Sequence, residues 1–331
     1  MKMATMRRNM ASMRISTTDL KNIKRGLFTN QILSKNIIVW ATIRDELYYM
    51  ASDSINIEDS ASFVNTSTIF FELASEQRLS ILFRLSKQSS KLAQLAKDLD
   101  VTMQEVHRNV NRLLDSGLIR KDANGQFSLT TFGITILQQI PTMNFLSRNK
   151  EYFTDHYLGD IPMKFVHRIG ALDKSEYVEG LVAVLELWKQ IYNGSREYIY
   201  GMLPQIPLEL IETLLAKLKQ GGIKFHYILS QQTVVPKKRA DLLKNAGFQD
   251  LLKKGLVERR MVEKMPVAVI LNEKEATVMF PTLKRSQTVA DLNSIFYSGR
   301  ENSLFHEWCL DYFRYCWYES KTFDESKLLE V

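Results

Sequence analysis

The chain has 331 residues, 45% hydrophobic and 24% charged, enough apolar material for two domains with separate cores. Two cysteines without an extracellular pattern argue against a disulfide scaffold, and the longest apolar runs, 36–43 and 180–188, fall short of the roughly 20 residues that cross a bilayer. A soluble, cytoplasmic protein with no membrane partner is expected. The net charge of +7 suggests nucleic acid, but residues 1–50 hold nine basic against three acidic side chains and so carry six of those seven charges. A case for DNA binding has to rest on where particular side chains fall.

Residues 1–69 form a basic, Met-rich extension. The opening "MKMATMRRNMASMR" has no periodicity, residues 19–33 are compatible with a helix, and residues 37–40 make an apolar patch. The stretch reads as a mobile basic arm, as a DNA-contacting arm, or as sequence upstream of a translation start at Met50.

Residues 89–131 are the most informative. "KLAQLAKDL" (91–99) predicts a helix ending at Asp100 and Val101, and Thr102 has the side chain to cap the next helix, 102–116. In that second helix the 3.6-residue period gathers Val106, Val110, Leu113 and Leu114 on one face and Gln104, Arg108, Asn111 and Arg112 on the other. Arg presents a fork to guanine O6 and N7, and Gln or Asn matches adenine's donor–acceptor pair, in a major groove wide enough for a helix. After Gly117, residues 118–121 and 127–130 read as two short strands joined by residues 122–126 with an Asn124-Gly125 turn, a β-wing. Lys91, Lys97, Arg108, Arg112, Arg120 and Lys121 are placed to follow phosphates on one side. A polar outer face on an amphipathic helix usually meets only water, so the order of helix, helix, capped helix, strand, turn and strand carries the reading.

Residues 70–139 resemble the winged-helix domain of archaeal regulators of the ArsR type, with "SEQRLSILFRLSK", "KLAQLAKDLDV" and "MQEVHRNVNRLLDSGLIRK" as successive helices and first wing strand. The segment "FLSRNKEYFTDHYLGDIPMKFVHRIGAL" and the aromatic "FHEWCLDYFRYCWYES" are similar to archaeal regulators with a methanogenesis-regulator middle domain, a relative of TrmB-type sensors. The resemblance, over about residues 70–320, implies a DNA-binding regulator with a sensor domain.

Residues 141–174 predict a helical connector in which Phe145, Leu146, Tyr152, Phe153 and Tyr157 offer apolar surface, either to a second subunit or to the same chain. From 175 the pattern alternates: helix 177–192, strand 197–203, helix 207–220, strand 223–230, helix 239–246, then strands 257–262, 267–271 and 276–280, with a helix closing the domain before a tail at 321–331. The expected fold is an α+β winged helix-turn-helix domain over 70–140 followed, over 175–320, by an α/β sensor-like domain with a mainly parallel sheet and an added hairpin, its strands 267–271 and 276–280 joined across 272–275. Ligands of such sheets gather beyond the carboxyl ends of strands, which points to Gly201, Met202 and Pro204 after the first strand and Ser230 and Gln231 after the second, with Trp188 and Tyr200 either as walls or as core.

TrmB-type sensors share a fold with phospholipase D enzymes, whose His-x-Lys-x4-Asp motif this chain lacks: none of His107, His156, His167, His226 and His306 has Lys two positions on. No Walker loop, nucleophile elbow or His-Glu-x-x-His occurs either, so no catalytic residue, metal or cofactor is assigned. Cys309 and Cys316 lie about 10 Å apart along one helix, too far for a shared bond, and read as buried thiols. The basic cluster Lys237-Lys238-Arg239 reads as a solvated loop. The expectation is a sequence-specific transcription regulator that binds double-stranded DNA as a homodimer, open to a small-molecule effector. An architectural DNA binder, a partner-binding adaptor and a nucleic-acid-processing enzyme are the alternatives.

Overall fold

The computed structural model describes residues 60–203, 208–231, 233–265, 267–283, 294–298 and 303–330. The helix expected over 19–33, the apolar patch at 37–40 and Pro204 lie outside the described residues. The chain divides into two compact units between Thr130 and Thr131.

The first unit runs α1 (Ser60–Leu73), α2 (Glu76–Lys87), α3 (Leu92–Leu99), α4 (Met103–Asp115), β1 (Ile119–Lys121) and β2 (Phe127–Leu129). Its core is Ile81, Leu82 and Leu85 of α2, Leu95 of α3, Val106, Val110 and Leu113 of α4, and Leu118, Ile119 and Phe127 at the hairpin. These apolar positions repeat every three or four residues along the helices, so each helix buries one stripe against its neighbours. The turn between α3 and α4 is tight because Asp100 takes the left-handed conformation (φ 53°), and its N–H closes α3 on Ala96 and Lys97. A short Asp tolerates that region better than a bulky residue. The hairpin pairs antiparallel with Ile119 opposite Leu129, and Ser90, just before α3, exchanges both backbone hydrogen bonds with Phe127.

The second unit opens with short helices, α5 (Thr131–Leu137), α6 (Ile140–Arg148), α7 (Tyr152–Asp155) and α8 (Met163–Val166). It continues β3 (Glu176–Glu179), α9 (Leu181–Gly194), β4 (Tyr198–Leu203), α10 (Leu208–Lys219), β5 (Lys224–Ser230) and β6 (Val234–Val235). Then come α11 (Lys238–Asn245), α12 (Phe248–Lys253), β7 (Val257–Val262), β8 (Ala268–Leu271), β9 (Ala276–Met279), β10 (Ser294–Ser298), α13 (Leu304–Glu319), β11 (Lys321–Thr322) and β12 (Leu329–Glu330). Eight strands form one sheet in the order β11-β7-β5-β4-β8-β9-β10-β3.

That sheet is mixed, which corrects the expectation of a mainly parallel one. Helical crossovers make β4, β5 and β7 a parallel centre, and every other neighbouring pair is antiparallel. The β8–β9 hairpin explains part of this: its four-residue link can join only antiparallel strands, and β8 itself runs against β4. A helix was expected from Tyr177, but Glu176–Glu179 is a strand, and Gly180 at φ 93° turns the chain into α9. One apolar layer, with Trp188, Ile191, Leu215 and Phe225, lies between the sheet and α9 and α10. The other, with Phe145, Tyr152, Phe165, Trp308, Tyr312 and Phe313, lies under α13. The connector expected at 141–174 belongs to this second layer, so Phe145 and Tyr152 are spent on the chain's own core rather than held for a second subunit. The expected tail is structured as well: β11 pairs with β7, and β12 runs parallel to β6.

Candidate nucleic-acid interface

Helix α4 is held by a reciprocal cap. The Glu105 N–H donates to Thr102 Oγ1, the Thr102 N–H donates to Glu105 Oε2 at 3.0 Å, and the Thr102 hydroxyl donates to the same carboxylate at 2.8 Å. These bonds hold the Glu105 carboxyl below the usual carboxylate range. Thr102, expected among the DNA-contacting residues, is thus engaged in fixing the start of the helix.

Beyond the cap, Gln104, His107, Arg108 and Asn111 are all exposed and share one face at spacings of three and four residues. Asn111 Nδ2 lies 3.4 Å from His107 Nδ1, coupling the two within the stripe. Sequence reasoning missed His107, although its offset of three from Gln104 and four from Asn111 was the available signal.

Arg112 departs from its expected role as a base reader. Its Nη2 and Nε donate to Glu72 Oε1 and Oε2 at 2.6 and 3.1 Å, and its guanidinium sits 4.8 Å from the Phe71 ring centroid. Glu72 is only 5% exposed and also pairs with buried Arg78 at 2.9 Å. The Arg112 bonds, with help from Arg78, hold the Glu72 carboxyl low against the opposing effect of burial. A guanidinium tied bidentate to a buried carboxylate must give up that pair to reach a base. On the buried side, Asn109 Nδ2 donates to Gln77 Oε1 at 2.8 Å, a second polar tie to the preceding helices.

Among the expected phosphate followers, Lys91, Lys97, Arg120 and Lys121 are exposed. Lys91 occupies the N-cap of α3 and Lys97 lies in its last turn. The Lys121 ammonium lies 5.6 Å from the Phe127 ring centroid. In the hairpin loop Asp122 Oδ1 accepts from the Asn124 and Gln126 N–H groups at 2.9 and 2.8 Å, and Gly125 takes φ 77°. That loop leaves the Asn124 side chain exposed at the tip.

In the second unit the expected ligand residues do not converge. Successive side chains of a strand point to opposite faces. Tyr200 and Met202 therefore join the layer under α13, Tyr200 stacked on Phe313 at 4.7 Å and on His226 at 5.3 Å, while Trp188 is buried across the sheet. Gly201 and Ser230 are buried, and the Ser230 N–H donates to Thr233 Oγ1. Trp188 instead borders a cavity of about 50 Å³ with Tyr192, Leu203, Leu215, Tyr227 and Phe248.

Arg239 is not solvated as its cluster suggested. Lys238 opens α11, and Arg239 is buried and donates to Glu325 Oε1 at 2.8 Å, while Arg259 donates to Oε2. Cys309 and Cys316 are buried, and burial pushes both thiols up, Cys316 to about 11. Among the described residues no group of three or more His, Cys, Asp or Glu side chains is placed to hold a metal ion, and no helix is long and apolar enough to cross a membrane.

The family model of the HVO_A0261 N-terminal domain matches residues 66–149, spanning all of α2 to α6 and both hairpin strands. No curated protein sequence matches the chain. Among solved structures, the archaeal chromatin protein TrmBL2, described as showing a novel mode of DNA binding, is 12% identical with a TM-score of 0.34, over 75% of this chain and 94% of that one. Nuc, a phospholipase D family member from Salmonella typhimurium, is also 12% identical, with a TM-score of 0.33 over 46% of this chain and 99% of its own. RosA, an N,N-8-amino-8-demethyl-D-riboflavin dimethyltransferase from Streptomyces davawensis, is 11% identical, with a TM-score of 0.25 over 63% and 67% of the two chains. Likenesses this distant do not bear on function.

Proposed function

We propose that the chain is a DNA-binding transcription regulator of the winged-helix, ArsR-like kind, in which α4 enters the major groove and the β1–β2 hairpin reaches the neighbouring backbone. The observation that carries this reading is the exposed stripe of Gln104, His107, Arg108 and Asn111 on a reciprocally capped helix that leads directly into a basic hairpin. Each of those side chains offers hydrogen bonds that base edges accept or donate, and Lys91, Lys97, Lys121 and Asn124 lie where a flanking backbone passes. The match of residues 66–149 to the HVO_A0261 N-terminal domain takes in this helix and hairpin and supports the reading. A homodimer that presents two α4 helices to two half-sites, and an effector that acts through the second unit, belong to the same proposal. No catalytic role is assigned.

The test is binding-site selection from random duplex with the purified full-length protein at near-physiological salt. A recurrent palindromic motif with half-sites about one helical turn apart is the expected result. Salt-sensitive binding without any motif would replace the regulator reading with an architectural one, and absence of duplex binding would end both.

A further inference from the structure

The apolar layer between the sheet and α9 and α10 is not filled. A cavity of about 50 Å³ remains beside Leu203, the last residue of β4, with Leu214 and Leu215 of α10, Tyr227 of β5 and Phe248 of α12 among its walls. Protein interiors pack like organic crystals and hold few voids larger than a water, so an apolar void at the carboxyl end of a parallel strand is a candidate ligand site. An apolar cavity of about 150 Å³ takes up benzene, and a third of that volume suits the end of an aliphatic chain rather than a whole ring.

Arg239 of α11 is the charged residue on the same wall. Its side chain is 5% exposed and donates to Glu325 Oε1 at 2.8 Å, whereas the Glu325 side chain is 51% exposed. The other Glu325 oxygen accepts from Arg259 at 3.0 Å. Both guanidinium charges act on the Tyr227 hydroxyl, Arg259 through a hydrogen bond, so the tip of a cavity-lining side chain joins the void to this ion cluster. Glu325 lies on a strap that follows α13. Phe323 meets the Tyr227 ring edge-on and lies under Arg259, Leu328 is buried, and the Leu329 N–H donates to the Thr233 carbonyl where β12 meets β6. A buried guanidinium needs a carboxylate, because removing one partner strands the other charge. The carboxylate that Arg239 has is half in solvent, on a strap whose final strand pair is two residues long, and a second carboxylate can take its place.

Resting on the reading that an effector acts through the second unit, we infer that this cavity binds a short aliphatic carboxylate, its alkyl end among Leu203, Leu214, Leu215 and Phe248 and its carboxylate on Arg239 in place of Glu325. Occupancy releases the strap from Phe323 onward. The strap-on and strap-off forms are then the two states between which such a ligand discriminates.

The test titrates hexanoate, its neutral amide hexanamide, and acetate into the full chain by calorimetry. Hexanoate binds; hexanamide binds about tenfold more weakly for want of hydrogen bonds to a charged group, and acetate, with no chain to enter the cavity, gives no binding heat. Glu325→Gln removes the competing carboxylate, so hexanoate binds this variant about tenfold more tightly and raises its thermal midpoint further than that of the wild type. Leu214→Phe fills the cavity from a half-buried position and abolishes binding, while Leu214→Ala, which cannot fill it, retains binding. Saturating hexanoate speeds amide exchange at Leu329, and Glu325→Gln does so without ligand. Equal affinity for hexanoate and hexanamide overturns the role of Arg239, and acetate binding as well as hexanoate overturns the role of the cavity. Failure of hexanoate to bind both wild type and Glu325→Gln overturns the site, as does an affinity that neither Glu325→Gln nor Leu214→Phe alters. Unchanged Leu329 exchange at saturation overturns release of the strap. Duplex affinity measured alongside separates the two readings: hexanoate that binds as described without altering duplex affinity upholds the site and defeats the effector reading, whereas a chain that binds duplex and ignores hexanoate defeats the site alone.

Discussion

Replacing Glu72 by Gln tests how α1 braces α4. Glu72 is buried, pairs with Arg78 at 2.9 Å and accepts two hydrogen bonds from Arg112. Breaking a buried ion pair on one side costs about 3–5 kcal/mol, because the remaining charge is left in a poor solvent. Arg78 also donates to the backbone carbonyls of Phe71 and Glu72 at 2.7 and 2.9 Å, bonds that survive the substitution. The loss therefore falls near the lower end, about 3 kcal/mol for the first unit. The pH dependence follows from the depressed Glu72 carboxyl. A group with a lowered folded-state pKa contributes stability above its unfolded value, near 4.3, and loses it as pH falls through the folded value. The gap between wild type and Glu72→Gln should thus be full at pH 7 and shrink once pH falls below the unfolded value, closing as it passes the lower folded value. Amide hydrogen exchange in α1 and α4 reads the local opening free energy without requiring the whole chain to unfold as one unit. A variant as protected as the wild type at pH 7, or a gap that persists unchanged at pH 3, would refute the reasoning.

Arg108→Ala should cost about 1–3 kcal/mol and relax one base position of the selected motif, with His107→Ala relaxing another, whereas Lys97→Ala should weaken all duplexes alike and flatten the salt dependence. Equal loss on every sequence after Arg108→Ala would remove it from the readers. Thr102→Ala should destabilise α4 by about 1 kcal/mol through loss of the reciprocal cap, read as faster amide exchange at the helix start with the far end unchanged. Cys309 and Cys316, with thiols pushed up by burial, should resist alkylation at pH 8 in the native protein and react promptly once unfolded. Rapid native labelling of either would contradict the packing under α13.

The first unit was legible because its signals are local. Period, a Thr capping residue with Glu three positions on, and an Asn-Gly turn each act within a few residues, and the structure has α3, α4 and the hairpin within a residue of the expected bounds. The pairing of Arg112 with Glu72 was not legible, since it joins positions 40 apart and depends on how α1 packs. The second unit shows the same division. Its parallel centre follows from strand–helix–strand alternation, but the antiparallel flanks depend on β10 and β3, which meet from opposite ends of the domain. The proposed convergence of Trp188 with Tyr200 failed for a local reason that was available: odd and even positions of β4 face different layers, and Tyr200 had to leave the face that Trp188 packs against.

On the proposed reading, the pairing of Arg112 with Glu72 also narrows what α4 can read. With Arg112 turned to Glu72, the bare face is the stripe from Gln104 through His107 and Arg108 to Asn111, spanning eight residues or about two turns. Two turns rise about 10 Å, roughly three base-pair steps, so on that reading one α4 helix reaches only a short half-site. Specificity at genomic scale then requires a second α4 helix at fixed spacing or sequence-dependent DNA shape read through the backbone. If α1 controls Arg112 through Glu72, the same helix also decides whether a fifth polar side chain joins the stripe. Glu72→Gln should then alter the selected motif as well as stability, gaining guanine preference or phosphate contact at the C-terminal end of α4. An unchanged motif with the expected loss of protection would confine α1 to a bracing role.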